Sequence, residues 1–97
     1  MKEIITEAIE NKKVIEFEYK GDLRIVEPFV IGVSSTGKDS LRAFQVDGNS
    51  TDSSSFSWKL FTVDKISNLS ISKENFTSQR EHYNPNDSAL KPIYARV

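Results

Sequence analysis

The chain predicts a mainly β fold: a small barrel of five short strands, preceded by one α-helix and followed by a carboxy-terminal tail packed on it. Three observations predict it. Residues 2–12 carry apolar side chains at helical spacing, the period switches to two from Val14, and four further apolar runs follow, separated by turn-forming residues. With 97 residues the chain is one domain, 1–97, that buries only about two-thirds of the surface its unfolded form exposes. Closure into a barrel covers such a thin core from both sides and removes open strand edges. The parts are a helix over 2–12, a barrel over 14–72 and a tail over 73–97.

The helix places Ile4, Ile5, Ala8 and Ile9 on one face and Glu3, Glu7 and Glu10 largely elsewhere. Ile15, Phe17 and Tyr19 then alternate with Glu16 and Glu18, as in a strand with one buried face. Lys20-Gly21-Asp22 reads as a three-residue hairpin loop, so Leu23 to Val33 returns antiparallel. Pro28 offers no N–H, which predicts a bulge or bend near Glu27-Pro28. After a turn at 34–39, residues Leu41 to Val46 make a third strand with Leu41 and Ala43 on one face and Phe44 and Val46 on the other. Residues 47–57 are polar and Ser-rich; they read as a long mobile loop opened by Asp47-Gly48 and anchored by Phe56. Trp58 to Val63 and Leu69 to Ser72 supply the last two strands. The tail, with Phe76, Tyr83 and the segment Ile93 to Val97, is too apolar to be purely solvated and is expected to pack back.

Thirteen basic and 14 acidic side chains leave a net charge of −1, so any polyanion site has to be a local patch. The absence of cysteine excludes disulfides, thiolate metal sites and a Cys nucleophile, and fits a reducing compartment. Charges at Lys2, Glu3, Glu7 and Glu10 interrupt the amino-terminal apolar residues, which argues against a signal peptide or membrane span and for a cytoplasmic address. Three Asn-x-Ser/Thr matches, at Asn49, Asn68 and Asn75, are then chance occurrences.

Three segments carry a resemblance: Arg24 to Pro28 (RIVEP), Leu41 to Phe44 (LRAF) and Lys59 to Ile66 (KLFTVDKI). In this order and spacing, and with the helix before them, they resemble the WYL-domain family over roughly residues 1–72. The resemblance implies an Sm-like small β-barrel and a regulatory role in transcription through binding of a negatively charged ligand or nucleic acid. Where that family has its Trp-Tyr-Leu run, this chain has Asp39-Ser40-Leu41, and lysines (Lys59, Lys65) and Thr62 stand where arginines are usual. Twelve residues before the first strand leave no room for the winged helix-turn-helix that family members commonly carry, so a standalone accessory module is expected.

The candidate ligand-binding residues are Arg24, Arg42, Lys59 and Lys65, which a barrel can bring together, with Trp58 and Tyr19 as aromatic surfaces. Guanidinium offers a planar fork and ammonium a compact charge to phosphate oxygens. Pairing of Arg24 with Glu27, or Lys65 with Asp64, would make these ordinary surface ion pairs. Aromatics at alternating strand positions are mostly core, and Trp58, beside the polar loop, has the best claim to exposure. No catalytic constellation is visible: His82 lies in the tail, and Ser53 to Ser55 have Asp52 but no nearby base. Asn84, Asn86 and Asp87 lack the Gly and distal Glu of a calcium loop and read as a turn. Neither an enzyme nor a cofactor is expected. The alternative is a protein-interaction module, a homodimer or a partner's docking site, built on strand edges and the tail.

Overall fold

The computed structural model describes residues 1–48 and 57–97. Phe56, Asp52, the serines at 53–55 and the sequon at Asn49 lie outside the described residues. The elements run α1 (Lys2–Glu10), β1 (Lys13–Tyr19), β2 (Asp22–Val33), β3 (Asp39–Gly48), β4 (Trp58–Thr62), a 3-10 turn (Val63–Lys65), β5 (Ile66–Asn75) and β6 (Ile93–Arg96). All strand pairs are antiparallel. Strand order is β4-β3-β2-β1-β5, with β6 also paired to β2. The fold is therefore mainly β with an amino-terminal helix, but the sheet has six strands and is not closed. The expected five-strand count missed β6, because four tail residues form a strand only by pairing with β2.

Helix α1 stops two residues early, since Lys12 adopts a left-handed φ of 51°. Ile5, Ala8 and Ile9 are buried, whereas Ile4, expected beside them, is 44% exposed. The β1–β2 hairpin is tighter than the three-residue loop predicted. Tyr19 pairs directly with Asp22, leaving Lys20 and Gly21 as a two-residue loop at φ 54° and 79°. Positive φ at both positions is the geometry that matches the twist of flanking strands.

Strand β2 holds the molecule together by changing neighbours. Its first half pairs with β1 through Val26, and its second half pairs with β6 from Val30 to Gly32. Pro28 falls between these stretches, and its register with β3 shifts between Pro28 and Val30, so the missing N–H sits at an irregularity as expected. Asp47 and Gly48, expected to open a loop, instead complete β3 opposite Ile25 and Arg24.

Two apolar clusters result. The first joins α1 (Ile5, Ala8, Ile9) to Ile15, Phe17, Tyr19, Val26, Ile31, Leu41, Ala43 and Phe61. The second, on the other side of β2, gathers Val14, Phe29, Val30, Phe76 and Leu90, with Phe44, Trp58 and Tyr83 packed against it. Tail residues supply much of the second cluster, so the tail does pack back. The sheet is also strongly curled. Strands β1 and β4 are separated by two strands in the order, yet the Tyr19 and Phe61 rings meet edge to face at 4.9 Å, and the Thr62 N–H donates to Tyr19 Oη at 3.0 Å.

Candidate functional site

The curl brings the tip of the β1–β2 hairpin against β4. Between them lies a cleft of about 310 Å³ lined by Tyr19, Lys20, Arg24, Trp58, Lys59, Leu60 and Phe61. Four of the six candidate ligand-binding residues meet there: Arg24, Lys59, Trp58 and Tyr19. They come from three strands, β1, β2 and β4, and only the tertiary fold brings β4 beside the β1–β2 hairpin.

Arg24 is only 4% exposed. Its register explains why. It stands opposite Phe17, whose side chain faces the core, and so Arg24 faces inward too while Leu23, the more apolar residue, points out at 43% exposure. The guanidinium carbon lies 5.7 Å from both the Tyr19 and Phe61 rings, a stacked environment that suits a weakly hydrated cation. Nη1 donates to Gln45 Oε1 at 3.2 Å, and Nη2 stands 3.9 Å from Asp22 Oδ2. Glu27, the carboxylate considered as its partner, is instead held bidentately by Arg80 at 2.9 Å. The inventory around Arg24 is incomplete: its Nε and the Asp22 Oδ2 are buried without a hydrogen-bond partner among the described residues. The two charges face each other, but a buried donor left without a hydrogen bond costs about 1–3 kcal/mol.

Tyr19 is buried and forms the floor of the cleft, its ring engaged by the edges of Phe17 and Phe61. Lys59 is half-buried on β4, opposite Ala43. Trp58 is half-buried rather than free. It packs against Phe29 at 4.8 Å and Tyr83 at 6.1 Å, and its Nε1–H donates to the Glu81 carbonyl at 2.9 Å. Only part of its ring is left to a ligand.

The other two candidates lie elsewhere. Arg42 stands on the opposite side of Trp58, in a smaller cleft of about 230 Å³ with His82, Asn84 and Asp87. Its Nε donates to Asp87 Oδ2 at 2.6 Å. Burial pushes the Asp87 carboxyl up, but the Arg42 hydrogen bond, the Ala89 N–H and the Arg42 charge outweigh it and hold the group below its ordinary value. Arg42 therefore fastens the tail. Lys65 is exposed in the 3-10 turn and does not line the cleft, and neighbouring Asp64 pairs with Lys38 at 3.4 Å instead. Around Asn84 the side chains serve local turns: Asn84 Oδ1 accepts from Asn86 N and Asp87 Oδ1 from Ala89 N, each at 3.0 Å.

Lys20 was missed as a cleft residue because it reads as part of a turn. The available clue was a lysine, rather than Asn or Asp, immediately before the hairpin glycine. Among the described residues no helix is long and apolar enough to cross a membrane, and no group of three or more His, Asp or Glu could hold a metal ion. The class defined by fold and cleft is a small open-sheet β domain with a cation-lined cleft. Comparison with protein-family models, with curated proteins and with solved structures found no match for this chain.

Proposed function

We propose that this chain is a non-catalytic binding module that recognises a phosphate-bearing anion, free or within a nucleic acid, at the cleft between the β1–β2 hairpin and β4. The observation that carries the reading is Arg24, whose guanidinium group lines the cleft together with Lys20 and Lys59. A phosphate oxygen is a suitable acceptor for it, and Lys59 adds a second positive charge to the same wall. The exposed part of Trp58 offers a surface for a base if the phosphate belongs to a nucleotide. We include in this reading an Sm-like, incompletely closed form of the sheet, which the amino-terminal helix and the curl of β4 over β1 support, and a WYL-type regulatory role, which rests on the three sequence segments alone. A cytoplasmic setting belongs with this reading, since cysteine is absent.

The test follows Trp58, the single tryptophan, by fluorescence during titration with inorganic triphosphate and with a short thymidine oligonucleotide. Both arms report phosphate recognition, and preference for the oligonucleotide identifies nucleic acid as the source. Oligonucleotide affinity is expected to fall with rising salt at a log-log slope of roughly −1.4 to −2.1, for two or three neutralised phosphates. Lys59→Gln and Arg24→Met should each weaken it severalfold. Arg24→Met is preferred to a glutamate, because a carboxylate at this buried position would unfold the hairpin rather than report on binding. Salt-independent binding, or binding unchanged in both variants, would remove the proposal.

A second reading, an interaction module, draws on the strands at the ends of the sheet. Among the described residues strands β4 and β5 each pair on one side only, and Leu60 and Ile71 along them are exposed.

A further inference from the structure

Lys20 occupies the first loop position of the β1–β2 hairpin at φ 54°, followed by Gly21 at φ 79°. In a two-residue loop of this kind the first position favours Asn, Asp or Gly, which tolerate the left-handed region; a lysine there is strained. Within the hairpin the side chain meets only the Tyr19 ring, at the long distance of 5.8 Å from Nζ. The loop needs no side chain for its closure, because Tyr19 and Asp22 already pair as the terminal rung. What the lysine side chain does reach is the cleft. Lys20 lines it beside Arg24 and Lys59, and its Nζ lies 5.8 Å from the Tyr19 ring that forms the floor.

Resting on the reading of the cleft as a phosphate site, we infer that Lys20 is a ligand-gripping residue kept at a strained turn position for its charge. The hairpin tip thus adds an exposed ammonium to the cleft, while Arg24, held by Gln45 and the two rings, supplies the directional contact. Strain held at a binding site in this way exchanges stability for function. This assigns binding to a residue whose neighbours in sequence indicate only a turn.

The experiment compares wild type, Lys20→Asn, Lys20→Arg and Lys59→Gln in thermal melts and in salt-dependent titration with the thymidine oligonucleotide. Lys20→Asn is expected to melt higher by roughly 2–6 °C, yet to bind severalfold more weakly, with its salt slope shallower by about 0.7 to 1. Lys20→Arg should keep the wild-type slope. If Lys59→Gln loses affinity while Lys20→Asn retains the wild-type affinity and slope, the assignment of Lys20 is overturned and the cleft stands. If wild type itself binds neither the oligonucleotide nor triphosphate, both fall. A melt of Lys20→Asn no higher than wild type would show that the turn carries no strain, and would overturn the exchange of stability for binding.

Discussion

Gly32 has no room for a side chain. A Cβ at this position would lie 2.5 Å from the Pro92 carbonyl oxygen and 3.1 Å from both the Ile93 Cα and the Leu90 Cβ. Two of these are backbone atoms of the tail, so the close approach of tail to β2 depends on the glycine. Gly32→Ala is expected to push the tail off, costing about 1–3 kcal/mol and reddening Trp58 emission as its contact with Tyr83 loosens. An unchanged melt and spectrum would show that the tail adjusts without cost. Arg24 makes the complementary point. Its residue type suggested a surface, but strand parity decided otherwise: once Phe17 faces the core, its partner across the ladder does too. That parity is set by the hairpin register, which differs between a two- and a three-residue loop.

The tail is an element attached by side-chain and backbone polar contacts along its length. Arg42 grips Asp87, Arg80 grips Glu27 while its guanidinium carbon lies 4.1 Å from the Phe44 ring, and Trp58 Nε1–H donates to the Glu81 carbonyl at 2.9 Å. Backbone bonds from Val97 N to Phe29 O, from Lys91 N to Val33 O and from Val33 N to Pro92 O run along the same seam, beside the β2–β6 ladder. The Asp87 carboxyl is held below its ordinary value, so it contributes stability that is present above the unfolded-state pKa and is lost as pH falls through the lower, folded value. Urea midpoints measured from neutral to acidic pH should therefore show wild type and Asp87→Asn converging in the carboxylate range, with wild type the more stable at neutrality. A difference that stays constant with pH would mean that the Asp87 charge does not hold the tail.

For the whole molecule, the open question is what meets the ends of the sheet. The curl brings β1 and β4 side chains into contact but forms no ladder between β4 and β5, and each keeps one edge without a strand partner among the described residues. Unpaired edges are templates for another strand. β5 is blunted by Lys73 and Glu74 near its end and by Asn68 at φ 53°, devices that resist continuous edge pairing. The expected sedimentation behaviour is a monomer at micromolar concentration, and a dimer that survives high salt would favour the interaction-module reading. The net charge of −1 gives no long-range attraction to polyanions, so phosphate binding has to be local and weak unless several contacts act together.

Period and turn chemistry were enough to place the helix, the first five strands, the irregularity at Pro28 and the return of the tail, because each is dictated by side chains within a few residues of one another. The six nominated residues, Arg24, Arg42, Lys59, Lys65, Trp58 and Tyr19, rested on residue type and the family resemblance, and four of them line one cleft. Period and turn chemistry could not count the sixth strand, since Ile93–Arg96 becomes a strand only where β2 leaves β1 and offers it an edge. Nor could they distribute the cations. Arg24 goes inward, Arg42 goes to Asp87, Lys65 stays on an exposed turn and Lys20 joins the cleft, because each outcome depends on register and curl between strands far apart in the chain. Local alternation determines which residues can share a face; the long-range pairing of β2 with β1, β3 and β6 decides which faces meet.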